Sequence, residues 1–487
     1  MALGHLLGIQ VRSVRRVQAH GTTAYRMGTV TRVVIIGGGP GGYEAALVAA
    51  QLGAEVTLLD PNPLGGSAVR TDAVPSKTLI ATSDVLAEIR DSGELGVRLG
   101  GVDVRVDIAR VNARVKALAR TQTEDVARAL RTERISVLPA SGRLAGTDRV
   151  IATARDGTVS ELPADVILVA SGAHPRVLPE AVPDGERILT WEQIYDLDEL
   201  PERLIVVGSG VTGAEFAGGY NALGCDVVLV SSRDRVLPSE DADAATVIEN
   251  VFTRRGMTVL SKSRASAVRR DGDGVTVTLT DGRVVSGSHC LLAVGSIPNT
   301  KDLALEEAGI RLDERGFVEV DRVSRTSARG VYAAGDCTGV LMLASVAAMQ
   351  GRIAMWHALG DAVQPLDLES VSATVFTSPE IATVGWSAAD VDSGRVRAVG
   401  VKLPLSGNPR AKMLGIHEGF VKLFCRPGTG IVVGGVVVAP RASELIHPVS
   451  MAVTQNLTVD QLAHAFTVYP SLSGSLGEAA RRLHLRG

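Results

Sequence analysis

The chain has 487 residues, of which 45% are apolar and 53 are glycine, and its net charge is −3. This length predicts about three domains. Aromatic residues make up only 3% and no extended basic run occurs, so we expect neither a nucleic-acid partner nor a strongly charged membrane surface.

The cysteine pattern excludes two kinds of site. No CxxC pair and no Cys/His ligand cluster occurs, so the sequence predicts neither a bound metal nor a disulfide framework. A reducing cytoplasm is therefore the expected compartment. No apolar run reaches the roughly 20 residues that a membrane-spanning helix needs. The four cysteines are Cys225, Cys290, Cys337 and Cys425.

Residues 1–28 stand apart in composition, because they contain four arginines and no acidic residue. This composition resembles an organelle transit peptide. The simpler interpretation, which we prefer, is an extension upstream of the true start, since Met27 lies just before the first predicted strand. We expect residues 1–28 to be poorly ordered.

The first predicted unit binds a dinucleotide. A β-branched strand, Val33–Ile36, runs into a glycine-rich turn, then into a helix over Tyr43–Gln51 and a strand over Glu55–Leu59. Glycines in such a turn let a pyrophosphate approach the helix N-terminus, and an acid after the second strand binds the ribose hydroxyls. The predicted contacts are Gly37, Gly39, Pro40, Gly42 and Asp60.

The same unit recurs at the strands Leu204–Val207 and Val227–Val230, so the chain should bind two dinucleotides, most simply FAD and a nicotinamide cofactor. Ser231 follows Gly224 by seven residues, as Asp60 follows Gly53. The acid of the first unit is therefore replaced by Ser231, which is followed by Ser232 and Arg233. An acid at this position would repel the 2′-phosphate of NADPH, whereas these hydroxyls and the guanidinium can bind it. Arg233 could also be a solvated loop charge. The predicted NADPH/NADH contacts are Gly208, Gly210, Gly213, Ser231, Ser232 and Arg233.

Residues 65–77 read GGSAVRTDAVPSK and resemble the redox-active segment of the flavoprotein disulfide reductases, the pyridine nucleotide-disulfide oxidoreductase family. That family has two cysteines five positions apart before Pro-Ser-Lys. Here both positions are alanine, Ala68 and Ala73. Dithiol chemistry needs a thiolate, so this segment cannot carry it.

Other segments extend the resemblance across nearly the whole chain. Thr326–Asp336 is similar to the second FAD motif, and the segments 170–172 and 295–299 are similar to the two connections between the FAD and NAD domains. Lys77 matches the lysine beside the flavin N5, and Glu215 matches its ion-pair partner, which also contributes to the NAD(P) side. The resemblance implies further FAD contacts at Gly66, Ser67, Lys77, Gly142, Ser171, Gly335, Asp336 and Ala344, and an NAD(P) contact at Gly295.

The C-terminal part, from VFTSPEIATVG (Val375–Gly385) onward, resembles the family's dimerisation domain, which implies a homodimer. The family's His–Glu dyad is absent, because its positions hold Tyr469 and Gly474. Tyrosine is a poor base at neutral pH but a usable hydrogen-bond donor. We predict that Tyr469 faces the partner's flavin, while His464 is out of register and is interpreted as a helix-surface residue.

The predicted fold class is α/β, with two Rossmann-type dinucleotide-binding domains and a C-terminal α+β dimerisation domain. After the extension, the predicted parts are an FAD-binding domain in two pieces (29–175 and 300–365), an NAD(P)-binding domain (176–299) and the dimerisation domain (366–487).

The predicted function is that of an FAD-dependent NAD(P)H:quinone oxidoreductase, because quinones need neither a thiol relay nor a thiol base. Glu44 in GGYEAALVAA and the YPSLSGSL ending are most similar to actinobacterial family members that act as quinone reductases. Two alternatives remain open: a soluble NAD(P) transhydrogenase, and a flavin-bound, non-catalytic electron-donor or binding protein. The catalytic candidates are Lys77, Glu215 and Tyr469.

Overall fold

Short β-branched runs form the central strands, because such side chains pack well on a pleated surface covered on both faces. A computed structural model describes residues 30–98, 100–101 and 104–484. The predicted extension, 1–28, lies outside these residues.

The strands in chain order are β1 (Arg32–Ile36), β2 (Glu55–Leu59), β3 (Ser136–Leu138), β4 (Ala140–Leu144), β5 (Arg149–Ala154), β6 (Val159–Pro163), β7 (Val166–Val169), β8 (Ala173–Pro175), β9 (Ile188–Thr190), β10 (Arg203–Val207), β11 (Asp226–Val230), β12 (Thr258–Leu260), β13 (Ala265–Asp271), β14 (Gly274–Leu279), β15 (Val284–Gly287), β16 (His289–Leu292), β17 (Ser296–Pro298), β18 (Val331–Ala333), β19 (Ser372–Val375), β20 (Glu380–Gly385), β21 (Val399–Pro404), β22 (Phe420–Cys425) and β23 (Val432–Ala439).

The α-helices are α1 (Pro40–Gln51), α2 (Gly66–Arg70), α3 (Ala73–Asp91), α4 (Ile108–Thr132), α5 (Val211–Leu223), α6 (Ala242–Arg254), α7 (Ala344–Ala358), α8 (Ala388–Asp392), α9 (Pro409–Met413), α10 (Ala442–Leu445), α11 (His447–Thr454), α12 (Val459–His464) and α13 (Gly474–His484). Short 3-10 turns include Ile194–Asp196 and Asp336–Thr338.

The first sheet is parallel, with the strand order β18-β7-β1-β2-β3. Helices α1 and α7 cross on one of its faces at two glycines. A Cβ added at Gly351 would lie 2.1 Å from the Gly41 carbonyl oxygen, so only glycine permits this crossing. The sheet therefore draws strands from both sequence segments that the resemblance assigned to FAD binding.

The second sheet is also parallel, with the order β12-β11-β10-β16-β9. Its strands β10, β11 and β16 are almost wholly buried. Two parallel sheets, each containing a strand that runs through a glycine turn into a helix, confirm the predicted pair of Rossmann-type domains.

Strands β8 and β17 pair antiparallel and join the two parallel sheets. Next to them, Asn299 donates its backbone N–H to the Gly172 oxygen at 3.0 Å and its side-chain amide to the Ser171 oxygen at 2.9 Å. The two connecting segments that the sequence singled out therefore lie side by side. Smaller antiparallel sheets, β4-β5-β6 and β13-β14-β15, flank the parallel sheets.

The C-terminal part is an antiparallel sheet, β19-β20-β23-β22-β21, covered by helices that include α11 and α13. It contacts the N-terminus of helix α6 through a buried ion pair. Lys422 on β22 donates to Asp241, the N-cap of α6, at 2.7 and 2.8 Å, and also pairs with Asp243 at 2.8 Å. The described residues from Thr31 onward form one compact unit.

The described ranges contain no helix with the length and apolar character that crossing a lipid bilayer requires. Nor do they contain a group of three or more His, Cys, Asp or Glu side chains arranged to hold a metal ion.

Candidate functional site

Each glycine-rich turn is closed by contacts that exclude a side chain. Gly37 has φ +106°, and a Cβ on Gly42 would lie 1.8 Å from the Gly37 oxygen. In the second unit Gly208 has φ +111°, and a Cβ on Gly213 would lie at the same 1.8 Å from the Gly208 oxygen. The outer glycines of both turns are thus required by the backbone itself.

Contacts within the protein do not explain why the middle residue of each turn is glycine. Gly39 and Gly210 are N-caps with ordinary φ values of −74° and −71°. A Cβ on Gly210 would meet no protein atom within 4 Å, and one on Gly39 would approach only the Gly66 Cα, at 3.7 Å. A molecule outside the protein explains glycine here, since a pyrophosphate at a helix N-terminus needs this space. Both turns therefore fit a dinucleotide, and Pro40 opens α1 beside the first.

Asp60 stands at the end of β2, where the first dinucleotide's ribose is expected. Its carboxylate accepts the N–H of Gly38 and the N–H of Asn62, each at 2.8 Å. Burial nevertheless raises its pKa. Each carboxylate oxygen has a second lone pair, so Asp60 can still accept a ribose hydroxyl.

Ser231 occupies the corresponding place in the second unit and is fully buried. Its hydroxyl lies 2.7 Å from the Ser209 hydroxyl and accepts the Arg233 N–H at 3.1 Å. Ser232 and Arg233 are exposed beyond it, and Lys262 donates its backbone N–H to the Arg233 oxygen at 2.7 Å. The exposed hydrogen-bond donors at this strand end therefore come from Ser232, Arg233 and the exposed Lys262.

The remaining predicted FAD contacts surround the first turn. Gly66 has φ +61°, and a Cβ there would lie 2.7 Å from the Gly39 Cα. Helix α2, which begins at Gly66 and contains Ser67, therefore packs against the first glycine turn. The Ser171 hydroxyl is buried without a regular hydrogen bond, although it lies near the Cys337 thiol. Burial raises the pKa of Asp336 to about 6. The unpaired buried hydroxyl of Ser171 and the half-buried carboxyl of Asp336 fit a polar cofactor.

Two glycines and one alanine, Gly142, Gly335 and Ala344, complete the predicted FAD contacts, and Gly295 is the remaining predicted NAD(P) contact. Gly142, on β4, packs so tightly that a Cβ would lie 2.9 Å from a Leu59 methyl carbon. Gly335 has φ +84° and donates its N–H to the Gln350 side chain at 2.8 Å. Ala344 is exposed at the start of α7, and Gly295, in the second connecting segment, has φ +95°.

Lys77 on α3 and Glu215 on α5 form a salt bridge of 2.8 Å. The Glu215 side chain is only 3% exposed, and its other oxygen accepts the Phe376 N–H at 2.8 Å. The Lys77 Nζ lies 5.0 Å from the centre of the Phe376 ring. Burial raises the pKa of Glu215, while Lys77 and the Phe376 N–H oppose this rise. The pair joins both parallel-sheet units and the C-terminal sheet.

The segment that lacks cysteine folds as two helices joined by a tight turn. Ala68 lies in α2 and Ala73 begins α3, while Thr71 and Asp72 between them both donate backbone N–H groups to the Ser67 oxygen. The four cysteines are buried elsewhere, and burial raises the pKa of each thiol. No thiol can therefore replace the missing pair at this segment.

Tyr469 lies in an exposed C-terminal stretch and is 83% exposed in the single chain. Phe466 and Val468 beside it are also exposed. Gly474 is the first residue of α13, so the second dyad position has no side chain. His464 ends α12 on the surface, where its Nδ1 lies 2.7 Å from the Asp460 oxygen.

Sequence reasoning missed three residues at the Lys77 end of the site. Phe376 acts through its backbone N–H, which leaves no signal in the sequence. Asp72 lies beside the lost cysteine position but has no counterpart in the motif quoted above. Tyr195 comes from a 3-10 turn more than a hundred residues away, so only the tertiary fold shows its proximity.

Comparisons with known proteins agree with this geometry. A family model described as pyridine nucleotide-disulphide oxidoreductase matches residues 31–351, and the dimerisation domain of that family matches residues 371–480. The NAD(P)H dehydrogenase (quinone) of Mycobacterium tuberculosis is 55% identical over 463 residues, covering 93% of this chain and 94% of that protein. The dihydrolipoyl dehydrogenase of Chlorobaculum tepidum is 34% identical over 457 residues, with 92% and 96% covered.

Solved structures give the same picture. The crystal structure of LpdA from Mycobacterium tuberculosis superposes with a TM-score of 0.90 at 55% identity, covering 93% of this chain and 100% of that one. The flavoprotein disulfide reductase RclA from Escherichia coli, at 24% identity and a TM-score of 0.81, shares the fold. FAD and NAD(P)H are the cofactors of this family. The chain belongs to the pyridine nucleotide-disulphide oxidoreductase family.

Proposed function

We propose that this protein is an FAD-dependent NAD(P)H:quinone oxidoreductase. One observation carries the proposal: alanine stands at both positions of the lost dithiol, while the Lys77–Glu215 pair is intact at 2.8 Å. The chain thus retains the hydride-accepting side and lacks the disulfide-reducing side. The relative from Mycobacterium tuberculosis with 55% identity bears the name of a quinone dehydrogenase, which supports this acceptor class.

Lys77 is the proposed electrostatic catalyst. When bound beside Lys77, FAD would supply the hydride transfer from the nicotinamide and the electron transfer to the acceptor. Negative charge develops during the first of these transfers, and a fixed ammonium nearby stabilises it. Glu215 holds that ammonium in place and is itself held by the Phe376 N–H. The contribution of this chain is therefore a charge that is positioned before the reaction begins.

The coenzyme site is proposed at the second turn, over Gly208, Gly210 and Gly213 and up to Gly295. Ser231 supplies no negative charge at the strand end, and its hydroxyl is engaged inside the protein. A 2′-phosphate would meet Ser232 and Arg233 instead, since both are exposed. We expect both coenzymes to be accepted, with some preference for NADPH.

The acceptor side is proposed to be completed by a second copy of the chain. The dimerisation domain supports a homodimer. In the single chain Tyr469 is exposed beside two exposed apolar residues. We propose that this stretch packs against the partner, so that the Tyr469 hydroxyl lies near the quinone of the partner's site and donates a hydrogen bond there.

The test is a steady-state comparison of acceptors with NADPH and with NADH as donors. Menadione should be reduced at enzymatic rates, on the order of 10 per second. Lipoamide and glutathione disulfide should not be reduced. Comparable turnover of a disulfide acceptor would contradict the proposal, and preferred turnover of a nicotinamide analogue would identify a transhydrogenase.

A double substitution, Ala68→Cys with Ala73→Cys, serves as the matched control. It should not confer lipoamide reduction, because the proton-handling dyad is also absent at Tyr469 and Gly474. Loss of NADPH-driven flavin bleaching in the unaltered protein would instead favour a binding or electron-donor role.

A further inference from the structure

Lys422, on strand β22 of the dimerisation domain, reaches the N-terminus of helix α6 with a buried ammonium. Its side chain is 10% exposed, and its Nζ donates to both carboxylate oxygens of Asp241, at 2.7 and 2.8 Å. The Asp241 side chain is only 2% exposed, and its Oδ1 also accepts the backbone N–H groups of Asp243 and Ala244 as the cap of α6. An ammonium bonded to both oxygens of a buried carboxylate fixes the position of that residue.

The residues between β11 and α6, 232–240, lead directly to Asp241, and we call them the coenzyme segment. The segment begins with Ser232 and Arg233, which are exposed and are the proposed contacts of a 2′-phosphate. Further along, Val236 and Leu237 are fully buried. The exposed start of the segment is therefore attached to a part that has a fixed place inside the protein.

Leu237 joins the coenzyme segment to the second glycine turn. Its N–H donates to the backbone oxygen of Ser209, which lies within that turn, at 2.8 Å, and its own oxygen accepts the Glu240 N–H at 3.1 Å. Leu237 has φ +51°, a left-handed conformation that is strained for a residue with a bulky side chain. Such strain persists only where the surrounding contacts enforce it, and it is concentrated at active sites and ligand clamps. The bond to Ser209 is one of these contacts, and the anchored Asp241, four residues on, supplies another.

A continuous series of contacts thus runs from the dimerisation domain to the coenzyme site: Lys422 to Asp241, Asp241 through the coenzyme segment to Leu237, and Leu237 to Ser209. We propose that Lys422 is a positioning residue for NADPH, which it serves by holding the coenzyme segment in place before the coenzyme binds. This inference rests on the coenzyme site proposed above.

The benefit of such an anchor is pre-organisation. A 2′-phosphate that meets a segment already in place does not have to order that segment, so less conformational entropy is lost on binding. NADH has no 2′-phosphate and uses only the glycine turn, which the anchor supports indirectly through Leu237. Binding of NADPH should therefore depend on Lys422 more strongly than binding of NADH does.

Lys402 on β21 provides a matched control, because it is the register partner of Lys422 across the two strands. Its ammonium lies 4.7 Å from the centre of the Phe420 ring, where that of Lys422 lies at 5.5 Å. Lys402 pairs with Asp243 at 3.0 Å, but its side chain is 43% exposed and its bond does not go to Asp241. Lys402→Met therefore removes a neighbouring lysine of the same ion cluster and leaves the anchor intact.

The experiment is the reduction of bound FAD by NADPH in the absence of oxygen, followed by flavin absorbance in a stopped-flow instrument. In Lys422→Met the NADPH concentration for half-maximal rate should rise at least about tenfold, and that for NADH by no more than about threefold. The limiting rate should change by less than about twofold, because Lys422 does not touch the reacting atoms. Lys402→Met should leave all three values unchanged, and equal effects of the two substitutions would overturn the proposal.

A double-mutant cycle with Arg233→Ala tests whether Lys422 acts through the coenzyme segment. Lys422 bonds to Asp241 and Asp243, and neither bond reaches Arg233, so independent effects would add. If Lys422 holds Arg233 in place, Arg233→Ala should weaken NADPH binding about five- to tenfold in the unaltered protein but less than about twofold in Lys422→Met. Equal effects in both backgrounds would overturn the inference.

The same measurements separate this inference from the proposed function. The assay needs no acceptor, so a protein that fails to reduce menadione would contradict the proposed function without changing the expected result for Lys422. If Arg233→Ala has no effect on NADPH in the unaltered protein, the proposed 2′-phosphate contact falls, and this inference falls with it.

Asp241→Asn keeps the proposal testable if Lys422→Met does not fold, since that variant leaves a buried carboxylate without its cation. An asparagine oxygen still caps α6, whereas the charge that holds Lys422 is lost. The NADPH concentration for half-maximal rate should rise about threefold or more. A folded Asp241→Asn protein with a lower melting temperature but an unchanged NADPH value would show that the ion pair is only structural.

Discussion

At the scale of single residues, the buried Lys77–Glu215 salt bridge should contribute strongly to stability. Lys77→Met would leave Glu215 with the Phe376 N–H as its partner. We expect a loss of about 3–5 kcal/mol in unfolding free energy at about pH 8, because a buried charge would lose its compensation. Burial already raises the pKa of Glu215, so the loss should be smaller at pH 5 than at pH 8, because protonation of the carboxyl removes the uncompensated charge. Denaturant unfolding at both pH values measures this.

Lys116→Met provides the control for that change. Lys116 pairs with Asp196 at 2.7 Å, but both side chains are exposed. Removing it should cost less than about 1 kcal/mol, with little dependence on pH. Equal losses in Lys77→Met and Lys116→Met would show that Glu215 is not the buried charge described above.

Arg233 is the residue that should distinguish the two coenzymes. It is exposed next to Ser232, so its contact with a 2′-phosphate is worth less than the roughly 1.5–3 kcal/mol of a buried charge-assisted bond. Arg233→Ala should raise the KM for NADPH about five- to tenfold and leave that for NADH nearly unchanged. The control is Arg269→Ala, an exposed arginine on β13 that pairs with Glu180. Equal effects on both coenzymes would make Arg233 a solvated loop residue.

At the scale of elements, the strand–turn–helix units allow a matched pair of glycine substitutions. Gly210→Ala places a methyl group where no protein atom lies within 4 Å, so stability should fall by less than about 1 kcal/mol. The KM for NADPH should rise at least tenfold, since the methyl group occupies pyrophosphate space. Gly213→Ala puts its Cβ 1.8 Å from the Gly208 oxygen, so it should cost about 3 kcal/mol or more. An unchanged KM in Gly210→Ala would place the coenzyme elsewhere.

These same units were the most predictable part of the molecule. The predicted strand Glu55–Leu59 has the observed bounds, and the strands at Leu204 and Val227 begin one residue earlier than predicted. Their β-branched runs and glycine turns act locally, so the sequence carries them. The helix predicted over Tyr43–Gln51 begins at Pro40, because proline fits the first turn of a helix.

The other features of the fold and of the candidate site depend on contacts between segments that are distant in the sequence. The Glu215 carboxylate accepts the Phe376 N–H from 161 residues away in the chain, and no motif joins the two residues, so this contact could not be predicted. The buried Lys422–Asp241 pair likewise joins two parts of the chain that are 181 residues apart. The buried state of Ser231 follows from its hydrogen bonds to a neighbouring turn. The domain boundaries near 175, 299 and 365 stay a prediction.

At the scale of the whole molecule, the exposed C-terminal stretch is the feature a single chain does not explain. Phe466 is fully exposed, and Val468 and Tyr469 beside it are 78% and 83% exposed. Burying one phenylalanine side chain stabilises an interface by about 1.5–3 kcal/mol. A two-fold interface contains each residue twice, so this contribution counts twice in a homodimer. Three exposed apolar or aromatic residues within four positions of a dimerisation domain are expected to be covered by the partner.

Phe466→Asp should therefore weaken the dimer by about 10²-fold or more in Kd, and sedimentation velocity at low micromolar concentration should show monomers. Menadione turnover should fall with dimer content, because the proposed Tyr469 contact comes from the partner. Val159→Asp is the control, since Val159 on β6 is an exposed valine outside the dimerisation domain and should leave sedimentation unchanged. A Phe466→Asp protein that sediments as a monomer yet retains full menadione turnover would show that each chain holds a complete acceptor site.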